Sequence, residues 1–104
     1  MRKYKNMDDY IIELLKDPEE AEAYLNASID EYMNDGDIAA FCIALEHLVK
    51  SKSSVSEFSE KNKFNRKQLY RIFKNEINPS MDSVLKILNS LGFKVQFKLL
   101  TKIA

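Results

Sequence analysis

Hydrophobic residues recur at intervals of three and four along most of the chain, the spacing of helices that bury one side. The pattern predicts a short first helix in "MDDYIIELLK", which ends before Pro18. Asp17 and Pro18 are typical of a second helix start, where Glu20 would complete a capping box, and Gly36 is typical of its end. Asp37 is expected to cap a third helix, whose apolar stripe fades in the polar sequence "KSKSS".

Shorter elements are predicted from Ser54 onwards. Ser54 and Glu57 form a capping box for a helix of about two turns, which the sequence "NKF" breaks. Asn65 with Gln68 forms a second possible box, which opens a basic helix. The inward stripe of this basic helix consists of Leu69, Ile72 and Phe73. Two short helices joined by a tight turn are the pattern of a helix-turn-helix.

The last predicted elements are a helix, which Ser80 caps and Gly92 closes, and a strand. Residues 93–100 alternate between apolar and polar side chains, which is the period of a β-strand. We therefore predict a mainly α fold of five to six helices with a short C-terminal β-strand. Residues 1–104 would form a single domain, with N-terminal acidic helices (8–52), a helix-turn-helix region (53–92) and the strand (93–100).

The predicted strand needs a partner, because its backbone groups would otherwise stay unsatisfied. No other segment alternates convincingly, so the partner is expected outside the chain, either in a second copy or in another protein. The apolar positions are expected to pack on the helices, while Lys94 and Lys98 stay in solvent; these positions are Phe93, Val95, Phe97 and Leu99. The alternative is an extension that lies over its own core without regular pairing. We prefer the dimer.

Charge is divided unevenly along the chain, although the net charge is zero. Residues 1–36 carry ten Asp and Glu against four Lys and Arg, whereas residues 50–104 carry twelve Lys and Arg against four Asp and Glu. Such asymmetry indicates nucleic-acid contact at the basic end. Two ordinary solvated faces, or a basic surface that binds a protein, would give the same pattern.

Part of the positive charge of the C-terminal half lies on the basic helix. Arg66, Lys67, Gln68 and Arg71 lie on its first turns, away from its apolar stripe. In a helix-turn-helix, such a helix start enters the DNA major groove, where Arg and Lys bind guanine and Gln binds adenine. Other polar side chains around the turn are better placed for phosphates. The predicted DNA-binding set is Ser54, Lys63, Asn65, Arg66, Lys67, Gln68, Arg71 and Lys74. The alternative is a helical hairpin whose basic side is merely solvated.

From about Tyr10 to Leu100 the chain resembles the addiction-module antidote family, antitoxins that have a lambda-repressor-like (Xre-type) helix-turn-helix and pair with RelE-like toxins. The matching segments are "AYLNASIDEY", "DGDIAAFCIALEHLVKS" and "VSEFSEKNKFNRKQLYRIFKNEINPSMDSVLKILNSLGFKV". One departure is Lys63, which stands where the family's turn usually carries Gly. A left-handed backbone there would cost a residue with a side chain roughly 1 kcal/mol.

The resemblance implies an antitoxin that binds its own promoter and neutralises its toxin. Its expected partners are operator DNA, a RelE-like toxin and a second copy, since two-fold proteins read paired half-sites. The toxin then becomes a second candidate to pair with the 93–100 strand. The alternative function is a helix-turn-helix regulator or protein-interaction module without a toxin partner.

The sequence gives little indication of a catalytic or metal-binding site. His47 is the only histidine and has no nucleophile at a suggestive spacing, while Cys42 lies on an apolar stripe. We expect no enzyme activity, no cofactor and no metal site. A single cysteine, no secretory signal and no apolar run of about 20 residues indicate a reduced, cytoplasmic protein without a membrane span.

Overall fold

The computed structural model describes residues 6–101, and six α-helices account for most of them. This confirms the predicted mainly α class. The helices are α1 (Met7–Leu14), α2 (Pro18–Asp35), α3 (Ala39–Lys52), α4 (Val55–Lys61), α5 (Arg66–Phe73) and α6 (Met81–Ser90). Within the described part of the chain, no helix is long and apolar enough to cross a membrane.

Most helix starts use the side-chain caps that the sequence predicts. Ser54 and Ser80 cap α4 and α6, and only α4 has a complete capping box among the six helices. Asp17 caps α2 by accepting a hydrogen bond from the backbone N–H of Glu19, rather than through the predicted box with Glu20. Both caps and boxes act within one turn, so they can be predicted without the tertiary structure.

Helix α3 lies at the centre of the fold, where it packs against α1, α2, α4 and α5. Its residues Cys42, Leu45 and Val49 have no solvent exposure. Helix α6 completes the core with Ile87 and Leu88. The central position of α3 explains why its apolar residues surround the helix instead of forming one stripe.

A polar cluster joins the first three helices at the edge of this packing, where His47 is buried and the Asp8 side chain is 70% exposed. The hydroxyl of Tyr24 on α2 lies 2.6 Å from Nδ1 of His47 on α3, and Nε2 of His47 lies 2.9 Å from Oδ1 of Asp8 on α1. Burial, and then the charge of Asp8, raise the pKa of Tyr24, so the phenol keeps its proton at neutral pH. Each ring nitrogen of His47 thus contacts one polar group on a neighbouring helix. The lone histidine therefore has a structural position between helices.

The structure does not support the predicted strand at 93–100. Residues 6–101 contain no β-strand, and residues 93–100 have no regular secondary structure. Phe93 packs against the core as expected, but Phe97 is 99% exposed and Leu99 is 74% exposed. The expectation that Val95, Phe97 and Leu99 pack on the chain's own helices is therefore wrong. The physical reason is that alternation encodes only which side chains share a face, whereas a strand forms only when a second backbone pairs with it.

Candidate nucleic-acid interface

The connection between α4 and α5 is a tight turn with a left-handed residue. Lys63 has a φ of 58°, whereas its neighbour Asn62 has a φ of −106°. The N–H of Phe64 bonds the carbonyl of Ser59 at 2.8 Å, and the rings of Phe58 and Phe64 stack with centroids 5.5 Å apart. This is the Schellman arrangement of helix ends, with its usual apolar contact. Lys63 therefore occupies the position that favours Gly.

Helix α6, which follows α5 in the sequence, also contacts this turn. The ammonium group of Lys86 donates to the backbone carbonyl of Lys63 at 3.0 Å and lies 4.4 Å from the centroid of the Phe64 ring. Both contacts hold the turn in place before α5 starts. Sequence reasoning missed Lys86, because a lysine on an exposed helix position has no local signal that it reaches a turn 23 residues away.

Helix α5 has one buried side and one charged side. Leu69, Ile72 and Phe73 are each 1% exposed, which confirms the predicted inward stripe. Lys67, Arg71 and Lys74, spaced i, i+4 and i+7, point away from that stripe. All eight predicted DNA-binding residues are exposed: Ser54, Lys63, Asn65, Arg66, Lys67, Gln68, Arg71 and Lys74. Seven of them lie on α5, at its ends or in the turn before it, whereas Ser54 lies at the start of α4.

Two of these residues use their side chains to fix a helix start. The Ser54 hydroxyl accepts from the N–H of Glu57 at 3.1 Å, and the Asn65 carbonyl oxygen accepts from the N–H of Gln68 at 3.0 Å. Their side-chain oxygens are therefore engaged in capping. The backbone N–H groups at such helix starts remain available to anions.

The basic side chains differ in how firmly they are held. Arg66 donates from Nη1 to the hydroxyl of Ser56 on α4 at 3.0 Å. Arg71 lies 3.8 Å from Glu76 in a solvent-exposed ion pair, which contributes little to stability. Lys67 and Gln68 have no polar side-chain partner among residues 6–101. The side chains at the start of α5 are thus free, or held by one weak contact, and can reorient towards a ligand.

Lys74 stands apart because it lies near a buried acid. Its Nζ is 3.9 Å from Oε2 of Glu46 on α3, and Nζ of Lys50 is 3.2 Å from the same oxygen. Neither contact has hydrogen-bond geometry, so this buried oxygen is balanced by charge alone. Lys74 therefore neutralises Glu46 as well as contributing to the basic surface.

These elements define a mainly α-helical protein with a capped, basic helix held on an apolar core. A family model described as "probable addiction module antidote protein" matches residues 4–99, and the chain belongs to this family. No curated protein and no solved structure matches the chain significantly.

Proposed function

We propose that this antidote protein is an antitoxin that also represses its own promoter. In this proposal α4 and α5 form a lambda-repressor-like (Xre-type) helix-turn-helix, and α5 enters the major groove of operator DNA. The observation that carries it is the two-sided nature of α5, whose inward residues are almost fully buried while its charged residues are all exposed. Such a helix is held rigidly by its core while its polar side is free to bind.

The contacts would divide into base reading and phosphate binding. Arg66, Lys67, Gln68 and Arg71 would read base edges, since Arg and Lys bind guanine and Gln binds adenine. Phosphate contacts would come from Lys63, Lys74 and the capped helix starts at Ser54 and Asn65, and they add affinity without sequence information.

The family membership implies a toxin partner. We propose that this toxin is RelE-like, as the resemblance of the whole chain suggests, and that the antitoxin acts in the cytoplasm by binding and not by catalysis. We further propose a homodimer, because a single helix-turn-helix covers one half-site of a two-fold operator.

The DNA-binding proposal is tested by fluorescence anisotropy with the DNA upstream of the gene. The double variant Arg66→Ala/Lys67→Ala should bind more weakly, by about 1–3 kcal/mol for each contact that reaches a base. Lys16→Ala/Lys98→Ala is the matched control, because it removes the same charge far from α5 in the sequence. Normal operator binding by the first variant would show that α5 is not the recognition helix.

The toxin proposal has its own test, which does not involve DNA. A RelE-like toxin from the adjacent gene should arrest growth when expressed alone and should lose this effect when the antitoxin is co-expressed. If the two proteins do not form a complex, the chain is instead a regulator or an interaction module without a toxin partner.

A further inference from the structure

Helix α6 and residues 93–100 expose several large apolar side chains. Met81 and Leu85, one turn apart on α6, are 72% and 41% exposed. The 93–100 segment adds four more large apolar side chains, and none of them packs in the core: Val95, Phe97, Leu99 and Leu100. These six residues are half of the large hydrophobic residues that are exposed among residues 6–101. Leu85 and Val95 line one groove, so α6 and the 93–100 segment share part of this surface. Large apolar side chains that are exposed close together commonly mark a binding site.

A groove lies directly beside these side chains. It has a volume of about 510 Å³ and is open to solvent, and it is lined by Leu85, Asn89, Gly92, Phe93, Lys94 and Val95. That volume falls within the range of ligand-binding clefts, so the groove is large enough to receive side chains of another chain. The same part of the chain thus carries both an open groove and exposed apolar side chains.

We propose that this surface is the interface of the homodimer, with Phe97 and Leu99 of each copy lying in the groove of the other. The inference rests on the homodimer of the proposed function and specifies its surface. A two-fold contact requires one patch that is complementary to itself, and a groove beside protruding apolar residues meets this requirement. Residues 93–95 would line the groove that receives these side chains, while Lys98 would stay in solvent.

The available area agrees with a stable dimer. At their exposed fractions the six apolar side chains present on the order of 700 Å² per copy, close to the roughly 800 Å² that each partner buries in a standard interface. The backbone of residues 94–101 makes no hydrogen bond to other described backbone groups, so it is also available to a second copy. None of the eight predicted DNA-binding residues belongs to this surface, so a dimer of this form leaves the basic helix free.

The test compares two double variants of the full chain by sedimentation equilibrium, without DNA or toxin. Phe97→Gln/Leu99→Gln should raise the dimer dissociation constant at least 100-fold, since each buried apolar side chain is worth about tenfold or more. Gln96→Asn/Lys98→Gln changes the two polar residues that alternate with Phe97 and Leu99, neither of which lines the groove, and should leave the constant within a factor of about three. Leu85→Gln, on the groove side, should weaken the dimer about tenfold.

Folding is not at risk in the first variant, because Phe97 and Leu99 make no core contact, and unchanged far-ultraviolet circular dichroism verifies this. A full chain that stays monomeric at all concentrations would overturn the proposal, and so would a dimer that tolerates Phe97→Gln/Leu99→Gln or Leu85→Gln. If that double variant keeps its dimer but loses a RelE-like toxin, the occupant is the toxin and the dimer proposal is wrong. Because self-association is measured alone, failure of DNA binding would leave this result unaffected.

Discussion

Replacing Lys63 by Gly should make the protein more stable while weakening its binding to DNA. The φ of 58° at Lys63 lies in the left-handed region, which costs a residue with a Cβ roughly 1–2 kcal/mol. Gly removes this cost but has more freedom in the unfolded chain, which takes back about 0.5–1 kcal/mol. No hydrogen bond of the turn uses the Lys63 side chain: the groups involved are the Lys63 carbonyl, the Phe64 N–H and the N–H groups of Asn62, so the substitution preserves these bonds.

The net effect is about 0.5–1 kcal/mol of added stability. For a domain of this size, each kcal/mol shifts the Tm by about 4–8 °C, so the Tm should rise by about 2–8 °C. Differential scanning calorimetry and urea unfolding both measure the change. In the same variant, loss of the Lys63 charge should weaken binding to all DNA sequences alike and lower the slope of log K against log salt by about 1.

The neighbouring residue offers a matched control. Asn62 has a φ of −106°, so Gly relieves no strain there, and the substitution removes the hydrogen bond from Nδ2 to the Phe58 carbonyl at 3.0 Å. Asn62→Gly should therefore destabilise the protein by about 0.5–1.5 kcal/mol. Opposite signs at adjacent positions are the expected result. A Lys63→Gly protein that is less stable than the parent would refute the left-handed turn.

Three further predictions concern a phosphate contact, a cap and the buried thiol. Lys74→Ala should weaken binding to operator and to unrelated DNA by the same factor and should flatten the salt dependence, which anisotropy titrations at several salt concentrations measure. A loss of affinity confined to the operator would contradict a phosphate role. Ser54→Ala removes the cap of α4 and should lower the free energy of unfolding by about 1 kcal/mol in urea, and an unchanged midpoint would show that the capping box with Glu57 contributes nothing. Burial raises the pKa of the Cys42 thiol above its ordinary value of 9.0, so it should resist alkylation in the folded protein at neutral pH and react once urea unfolds the chain. Burial disfavours the Cys42 thiolate in the folded state only. The free energy of unfolding should therefore be unaffected by this group below pH 9.0 and should fall as pH rises through the folded pKa, which unfolding at pH 8 and above can measure.

The helices themselves could be predicted because their signals are local. Periodicity identified the inward stripe of α5, and caps such as Ser54 and Asn65 act on an N–H three residues away. The resemblance to the antidote family, whose turn usually carries Gly at the position of Lys63, likewise indicated where a left-handed residue lies. In each case the groups that interact lie within a few residues in the sequence.

What the sequence did not reveal involves groups that are far apart along the chain. Lys86 reaches the carbonyl of Lys63 across 23 residues, and His47 reaches Asp8 across 39. The alternation of residues 93–100 predicted a strand, but the described chain offers no second backbone to pair with it. Helix type and helix ends are thus determined by the sequence itself, since neighbouring residues supply both donor and acceptor. Only the tertiary structure decided which exposed lysine supports a turn and whether an alternating segment finds a partner. The physical reason is that these groups come within bonding distance only when the chain folds.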